Sequence, residues 1–361
     1  MVSKLPRLRV DDFDYPLPET AIAQVPVEPR DASRLLLLDR ERSRPGAPAL
    51  QHGTFRQLGD WLRPGDLLVV NDSRVIPARL RGTRRGGGEA EILLLRELAP
   101  MEWEALVRPS RRVRVGEHLT LASGDAVVVG GPAGDGTRAV RFDRHPHGVM
   151  AAAGETPLPP YIHDRSSSSE RYQTVYARPP GSVAAPTAGL HFTAELLASL
   201  KAAGIRMASV TLHVGLDTFR PLEGEFIDEH RIHTEWYEIP PDTSRAVAQT
   251  RAGGGRVVAI GTTSVRVLET AERGRSAGAE SATGWTDLYI TPPHRFSTVD
   301  VLVTNFHLPR SSLLLLVTAF VQAGMSGADP HQARDTLLAA YAHALEAGYR
   351  FFSFGDAMLI L

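Results

Sequence analysis

The sequence changes character twice, and these changes limit the folds that the chain can adopt. From residue 66 to residue 142 it is a series of short apolar runs separated by turn residues, without the period of a helix. After His147, helical and strand patterns alternate to the end of the sequence. Closely spaced strands predict a small barrel, whereas alternating helices and strands predict an α/β body. We therefore expect an α/β body formed by residues 1–62 and 148–361, with an inserted barrel formed by residues 63–147.

Hydrophobic periodicity and turn residues predict the individual elements. In the barrel region we predict strands over residues 66–71, 78–82, 90–95, 103–108, 117–121, 126–129 and 137–142. In the body we predict helices over residues 193–203, 242–252, 262–273, 311–322 and 330–347, and strands over residues 205–213, 256–260 and 299–303. We interpret the proline-containing stretch 44–50 as a loop.

Composition excludes several classes of protein. The chain has no cysteine, which rules out disulfide scaffolds, thiolate zinc sites, cysteine nucleophiles and cysteine-held iron–sulfur clusters. The longest aliphatic runs, 35–38 and 313–317, are too short to span a bilayer, so we expect a cytoplasmic protein that does not bind membranes.

Arginines form two clusters that contain no carboxylate. The first cluster lies in SRVIPARLRGTRRGGG, starting at Ser73, and the second in RPSRRVRV, starting at Arg108. The net charge of -1 argues against a general polyanion binder, but two local clusters on one small barrel could follow a phosphate backbone. The alternative interpretation is a pair of solvated loops.

Three segments concentrate polar residues beside predicted helix starts or strand ends. AAPTAGLHF, from Ala184, predicts a tight turn before a helix, whose free N–H groups and His191 could bind an anionic or ribose oxygen. TNFHLPRSS, from Thr304, and GTTSVR, from Gly261, both follow predicted strands, where ligands collect in open α/β sheets. Each could instead be an ordinary cap or turn.

The remaining segment is rich in titratable groups. It runs through TLHVGLDTFRPL, from Thr211, and DEHRIHTEW, from Asp228. Such a density of histidines and carboxylates suits proton transfer. His230, His233 and Glu235 leave a catalytic metal open, although HExxH is absent, and a solvated loop with ordinary histidines is the third interpretation.

Eight segments carry a resemblance that extends over nearly the whole chain. They are FDYPLPETAIAQVPVEPRDASRLLLLDR from Phe13, LRPGDLLVVNDSRVIPARLRG from Leu62, ERYQTVYA from Glu170, AAPTAGLHF, TLHVGLDTFRPL, GTTSVRVLE from Gly261, TNFHLPRSSLLLLV from Thr304 and YRFFSFGDAMLI from Tyr349. In this order they resemble the S-adenosylmethionine:tRNA ribosyltransferase-isomerases of queuosine biosynthesis.

The resemblance implies a mixed α/β body with an inserted six-stranded β-barrel. It also implies transfer and rearrangement of the ribosyl part of S-adenosylmethionine onto 7-aminomethyl-7-deazaguanine, at the wobble position of a tRNA with a GUN anticodon. The products are epoxyqueuosine-tRNA, adenine and methionine. No metal and no cofactor besides the co-substrate S-adenosylmethionine are implied, and we expect a monomer.

This reaction needs a base, an acid and groups that hold both substrates. As hypotheses we assign proton transfer to His213, His230 or Glu235, and His307. We assign substrate binding to Thr187, Gly189, His191, Arg220, Thr262 and Asn305. We assign tRNA binding to Arg74, Arg79, Arg84, Arg85, Arg111 and Arg112. Two alternatives remain: a non-catalytic RNA-binding barrel protein, and a related transferase that acts on a different deazapurine acceptor.

Overall fold

A computed structural model describes residues 7–134, 136–164, 168–215, 222–273 and 281–361. The chain forms two compact units. One comprises Met1–Ser73, Pro160–Pro179 and Pro186–Leu361, and the other comprises Arg74–Pro159 and Pro180–Ala185.

The larger unit is built on a sheet that contains nine strands among the described residues. The strands are β1 (Arg34–Arg44), β2 (Ala47–Thr54), β3 (Leu67–Asn71), β13 (Arg206–Leu212), β14 (Glu235–Ile239), β15 (Val257–Ile260), β16 (Ala282–Thr286), β17 (Val301–Asn305) and β18 (Ala357–Ile360), numbered in chain order over both units. Their order across the sheet is β16-β14-β13-β3-β15-β17-β18-β1-β2.

The centre of this sheet is parallel. Strands β13, β3, β15 and β17 all run in one direction, so their carboxyl ends lie at one edge. All five residues of β3 and all five of β17 are buried, as continuous apolar runs predict for strands covered on both faces. Strand β18 runs antiparallel to β17, which brings the segment before Ala357 to the same edge.

Five helices of this unit follow the α/β pattern. They are α2 (Ala194–Ala202), α3 (Pro241–Ala252), α4 (Thr262–Arg273), α5 (Ser312–Gly324) and α6 (Pro330–Glu346). Thr193, Ser311 and Asp329 cap α2, α5 and α6 with their side-chain oxygens, as Ser, Thr and Asp commonly do. Leu196 and Leu200 of α2 pack with Leu68 and Val70 of β3 in the core.

The smaller unit is a closed antiparallel barrel. Its six strands are β5 (Arg79–Arg84), β6 (Glu89–Ala99), β7 (Glu102–Arg108), β8 (His118–Leu121), β9 (Ala126–Gly134) and β10 (Thr137–Phe142). They pair in the order β5-β6-β7-β10-β9-β8, and pairing of β8 with β5 closes the barrel. Also in this unit are α1 (Pro146–Ala153) and the short strands β4 (Arg74–Val75), β11 (Gly154–Glu155) and β12 (Pro180–Ser182). The predicted fold class, an α/β body with a six-stranded barrel, is confirmed.

The structure corrects two expectations. The strand predicted at residues 66–71 forms, but it pairs with β13 and β15 in the large sheet, so it does not belong to the barrel region. Its apolar run identifies a buried strand without saying which sheet receives it. The stretch 44–50, predicted as a loop, instead contains the turn of the β1–β2 hairpin, with Gly46 at a φ of 70°. No helix in the described part of the chain is long and apolar enough to cross a membrane.

Candidate active site

Four of the polar segments identified from the sequence lie at the carboxyl edge of the parallel strands. His213 follows β13, Thr262 follows β15, and Asn305 is the last residue of β17. A short 3₁₀ segment, Thr187–His191, lies against β17. This edge is where open α/β sheets bind their ligands.

A buried hydrogen-bonded chain passes through His191. The Thr187 hydroxyl donates to Asn305 Oδ1 at 2.9 Å, and the Asn305 amide lies 3.1 Å from His191 Nε2. Because Asn305 Nδ2 also donates to the Phe352 carbonyl, it is the donor to His191, whose Nε2 is therefore the acceptor. His191 Nδ1 then carries the proton and donates it to Ser33 Oγ, 2.8 Å away. The chain fixes one neutral tautomer of His191.

Burial favours that neutral form. It lowers the pKa of His191 from 6.5 to about 3, with smaller contributions from Arg350 and Arg30. The Phe55 ring stacks on the imidazole at a centroid distance of 4.9 Å. Both ring nitrogens are engaged, so His191 is arranged to hold its neighbours in place and not to exchange protons with a substrate.

Gly189 allows this segment to pack closely. A Cβ at this position would lie 2.2 Å from Tyr176 Oη and 2.8 Å from Thr174 Cγ2. Both Tyr176 and Thr174 are buried, and neither can move aside at low cost. Gly189 therefore serves the packing of the turn, which the sequence does not reveal.

His213 has the arrangement expected of a general base. Its Nδ1 lies 2.8 Å from Ser73 Oγ, and its ring stacks on Trp236 at a centroid distance of 5.0 Å. Burial lowers the pKa of His213 from 6.5 to about 4, so the imidazole is neutral near pH 7. Its Nε2 has no hydrogen-bond partner among the described residues. One nitrogen is thus held by a hydroxyl, and in the tautomer whose Nδ1–H donates to Ser73 Oγ the other nitrogen is free to accept a proton.

His307 shares part of this arrangement in a more buried position. Its Nε2 lies 2.8 Å from Thr304 Oγ1, and its backbone N–H donates to Tyr341 Oη at 3.1 Å. The Tyr15 hydroxyl donates to the His307 carbonyl at 2.5 Å. Burial lowers the pKa of His307 from 6.5 to about 3. Two tyrosines therefore fix its backbone, and the ring is a neutral imidazole.

Glu235 is buried and engaged on both carboxylate oxygens. Arg266 of α4 donates to Oε2, and the backbone N–H of Gly215 donates to Oε1 at 2.9 Å. The ion pair is nearly inaccessible, at 7% and 8% side-chain exposure. Glu235 thus ties α4 to the segment that follows His213, which suits positioning better than proton transfer.

The contacts of His230 and Thr262 do not point to a particular role in the site. His230 packs against Tyr289 at 5.7 Å and accepts at Nδ1 from the Glu223 backbone N–H at 3.4 Å. Thr262 is buried at the first turn of α4. Arg220 lies outside the described residues. Within the part of the chain that the structure describes, no three His, Asp or Glu residues form a cluster that could hold a metal ion.

The predicted tRNA-binding arginines fall into three groups. Arg84 pairs with Glu117 at 2.7 Å and donates to the Arg112 carbonyl, and Arg79 lies 4.0 Å from Glu91, so both stabilise the barrel. Arg74 is half-buried. Arg85, Arg111 and Arg112 are exposed. Only the exposed group is arranged to meet a large ligand.

Sequence reasoning missed Ser33, Ser73 and Arg266. Each acts on a residue far away in the chain: Ser33 is 158 residues from His191, and Ser73 is 140 residues from His213. Ser73 lies two residues after the end of β3, and this position at the carboxyl edge was the available signal.

The chain has an α/β body with an inserted six-stranded barrel, and neutral histidines are held at the edge of its sheet. These features define an enzyme whose reaction includes proton transfer. A model of the family described as "Queuosine biosynthesis protein" matches residues 10–360. The chain belongs to this family.

Two curated relatives are named S-adenosylmethionine:tRNA ribosyltransferase-isomerase. The one from Symbiobacterium thermophilum is 50% identical over 98% of this chain and 100% of its own length. The one from Thermotoga maritima is 49% identical, with the same coverage. The crystal structure of S-adenosylmethionine tRNA ribosyltransferase from Thermotoga maritima matches 97% of this chain and 100% of its own, with 41% identity and a TM-score of 0.55.

Proposed function

We propose that the chain transfers and isomerises the ribosyl part of S-adenosylmethionine onto the aminomethyl group of 7-aminomethyl-7-deazaguanine in tRNA. Epoxyqueuosine-tRNA, adenine and methionine are the products. The names of the relatives support the reaction class, and the arrangement of His213 is the structural observation that carries the assignment to residues. A non-catalytic RNA-binding protein, the alternative, would not need a neutral histidine held in this way by Ser73.

The first chemical requirement is removal of a proton from the carbon next to the sulfonium. In our proposal His213 Nε2 accepts this proton, because the imidazole is neutral near pH 7 and Ser73 fixes its other nitrogen. Adenine then leaves with the electron pair of its bond to the sugar and takes up a proton, for which the newly protonated His213 is the candidate donor, since His307 is a buried neutral imidazole. The neutral aminomethyl nitrogen of the base forms a bond to a sugar carbon and loses a proton. A sugar oxygen on the neighbouring carbon then displaces methionine, which departs with the sulfonium electron pair, and the epoxide closes. No external oxidant or reductant enters this balance, and we propose no cofactor besides S-adenosylmethionine.

Other residues hold substrates in this proposal. The Thr187 hydroxyl donates to Asn305, which leaves its oxygen lone pairs free to accept from a ribose hydroxyl. His191 and Ser33 fix Asn305 in the orientation that Thr187 requires. Glu235 and Arg266 act as positioning residues through Gly215.

Loss of an isotope from the donor tests the base. S-adenosylmethionine deuterated at the carbon next to the sulfonium is incubated with enzyme and tRNA carrying the precursor base, and both deuterium loss and adenine are measured. We expect His213→Ala to lower both rates by at least about 100-fold, a typical contribution of a general base, with unchanged tRNA affinity. The exposed barrel variant His118→Ala is the control. Wild-type rates in His213→Ala would exclude His213 as the base.

The same assay identifies the acceptor. We expect adenine release with tRNA that carries 7-aminomethyl-7-deazaguanine and none with the free base at equal concentration. Turnover of the free base would instead support the alternative transferase. Because its substrate is tRNA, we expect the enzyme to act in the cytoplasm, and sedimentation of the purified protein would test our expectation of a monomer.

A further inference from the structure

The barrel carries a groove of about 950 Å³ at one end of its β5–β6 hairpin. It is lined by residues of β5 and β6, by the loop that follows β7 and by the end of β8. The charged residues that line it are Arg81, Glu89, Glu91, Arg108, Arg111 and Arg112. The groove lies entirely within the smaller unit.

The arginines of the barrel differ in what they contact. Many of them stabilise the barrel: Arg84 bonds Glu117, Arg96 bonds Glu104, and Arg144 bonds Asp125. In contrast, Arg108 and Arg111 are exposed residues, and their guanidinium groups have no hydrogen bond or ion pair to another described residue. Arg112 is exposed as well, and its carbonyl accepts from Arg84, which anchors the loop.

Unpaired guanidinium groups on an anchored loop are suited to an external anion. Arginine offers a planar fork of donors that matches a phosphate group, and its charge is not neutralised here by a neighbouring carboxylate. The acidic groups of the groove are partly engaged elsewhere, since Glu91 lies 4.0 Å from Arg79. Glu89 is exposed at the start of β6 and lines the same groove.

We propose that this groove binds the phosphodiester backbone of the tRNA substrate, with Arg108, Arg111 and Arg112 as the contacting residues. The groove is open, its volume is about 950 Å³ and several arginines line it. These features suit a stretch of phosphodiester backbone better than one small ion. Arg79 and Arg84, included among the tRNA-binding residues on the basis of sequence, are in this proposal barrel-stabilising residues. The proposal rests on the proposed function, which supplies the RNA.

Paired variants with matched charge test the groove. The groove pair is Arg108→Gln with Arg111→Gln, which leaves the Arg112 anchor intact. The control pair is Arg114→Gln with Arg141→Gln, two exposed arginines of the barrel that do not line the groove. Both pairs remove the same charge, and circular dichroism checks that both fold.

Affinity for tRNA is measured at several salt concentrations. For the groove pair we expect binding weakened on the order of 15-fold at about 0.15 M salt, and a salt dependence with an exponent lower by about 1.5, as loss of two phosphate contacts predicts. Glu89→Gln should tighten binding, since it removes a negative charge from the groove. The control pair should bind like the wild type.

The outcomes separate this proposal from the proposed function. If the wild-type protein binds tRNA and the groove pair keeps its affinity and salt exponent, the groove is not the contact surface. Equal weakening by the control pair would also overturn the proposal, because it would mean that net charge alone matters. If the wild-type protein makes no product from tRNA and S-adenosylmethionine, the proposed function fails, whatever the groove binds.

Discussion

At the carboxyl edge of the sheet, the role of a histidine depends on which of its ring nitrogens are hydrogen-bonded. His191 and His213 are both neutral imidazoles held by a serine hydroxyl, but His191 is bonded at both nitrogens and His213 at one. This difference separates a positioning histidine from a candidate base, although both occur in equally distinctive segments of sequence. Gly189 also depends on single atoms, because a Cβ at this position would meet Tyr176 Oη.

At Gly189 a methyl group should be enough to disturb the turn. The variant Gly189→Ala places Cβ 2.2 Å from Tyr176 Oη, so we expect a loss of about 1–3 kcal/mol of unfolding free energy, measured with urea. Adding Tyr176→Phe removes that oxygen and should recover part of the loss. Gly148→Ala, whose Cβ meets no atom within 4 Å, is the control. A stable Gly189→Ala protein would contradict the packing argument.

Among elements, α4 connects the sheet to the site. Its second turn supplies Arg266, whose ion pair with Glu235 is buried, and Glu235 in turn holds the Gly215 backbone N–H. A buried pair contributes little when intact, but leaving one charge unpaired is costly. The pair therefore makes the segment after β13 dependent on the packing of a helix that starts 50 residues later.

Breaking this pair on one side should cost more than removing it. We expect Arg266→Met to destabilise the protein by about 3–5 kcal/mol, and the double variant Arg266→Met with Glu235→Gln to recover much of that loss. Urea unfolding of the four proteins of this cycle measures the coupling. Additive losses would mean that the two side chains do not interact as described.

Activity of Glu235→Gln separates positioning from proton transfer. If Glu235 only positions, the rate of deuterium loss should fall moderately and its pH dependence should stay unchanged. Complete loss of proton abstraction, with normal substrate affinity, would return Glu235 to the role of base.

Elements differed in how far the sequence predicted them. The six barrel strands were predicted because antiparallel strands joined by short turns carry their own boundaries in turn residues such as Gly87 and Gly124. The β1–β2 hairpin was missed, since neighbouring prolines and Gly46 also suit a loop. In the site, strand ends predicted His213 and Asn305. Ser33 and Arg266 could not be predicted, because tertiary packing alone brings them to their partners.

Across the whole molecule, buried neutral histidines link stability to pH. Their native pKa values lie below the 6.5 of the unfolded chain: about 3 for His191 and about 3 for His307. As pH falls below about 6.5, the unfolded chain takes up protons that the native protein does not, so unfolding becomes easier. The sign is therefore a loss of stability on acidification, over the window from about 6.5 to about 3.

We expect the unfolding free energy to fall with decreasing pH by up to about 1.4 kcal/mol per unit for each of these histidines. Urea unfolding at a series of pH values measures the slope. In His307→Asn the slope should be smaller by one histidine's share, even if the variant is less stable overall. An unchanged slope would show that His307 is charged or exposed in the native state.

Strand β18 lies inside the large sheet, between β17 and β1, although it follows every other described strand in the sequence. The ribosome therefore makes the β1–β2 hairpin well before its partner strand. Until residues 357–360 have emerged, the nascent hairpin cannot join the parallel strands, and both β1 and β17 present unpaired edges. Completion of the sheet, and with it the placement of Ser33 next to His191, thus depends on the synthesis of residues 357–360.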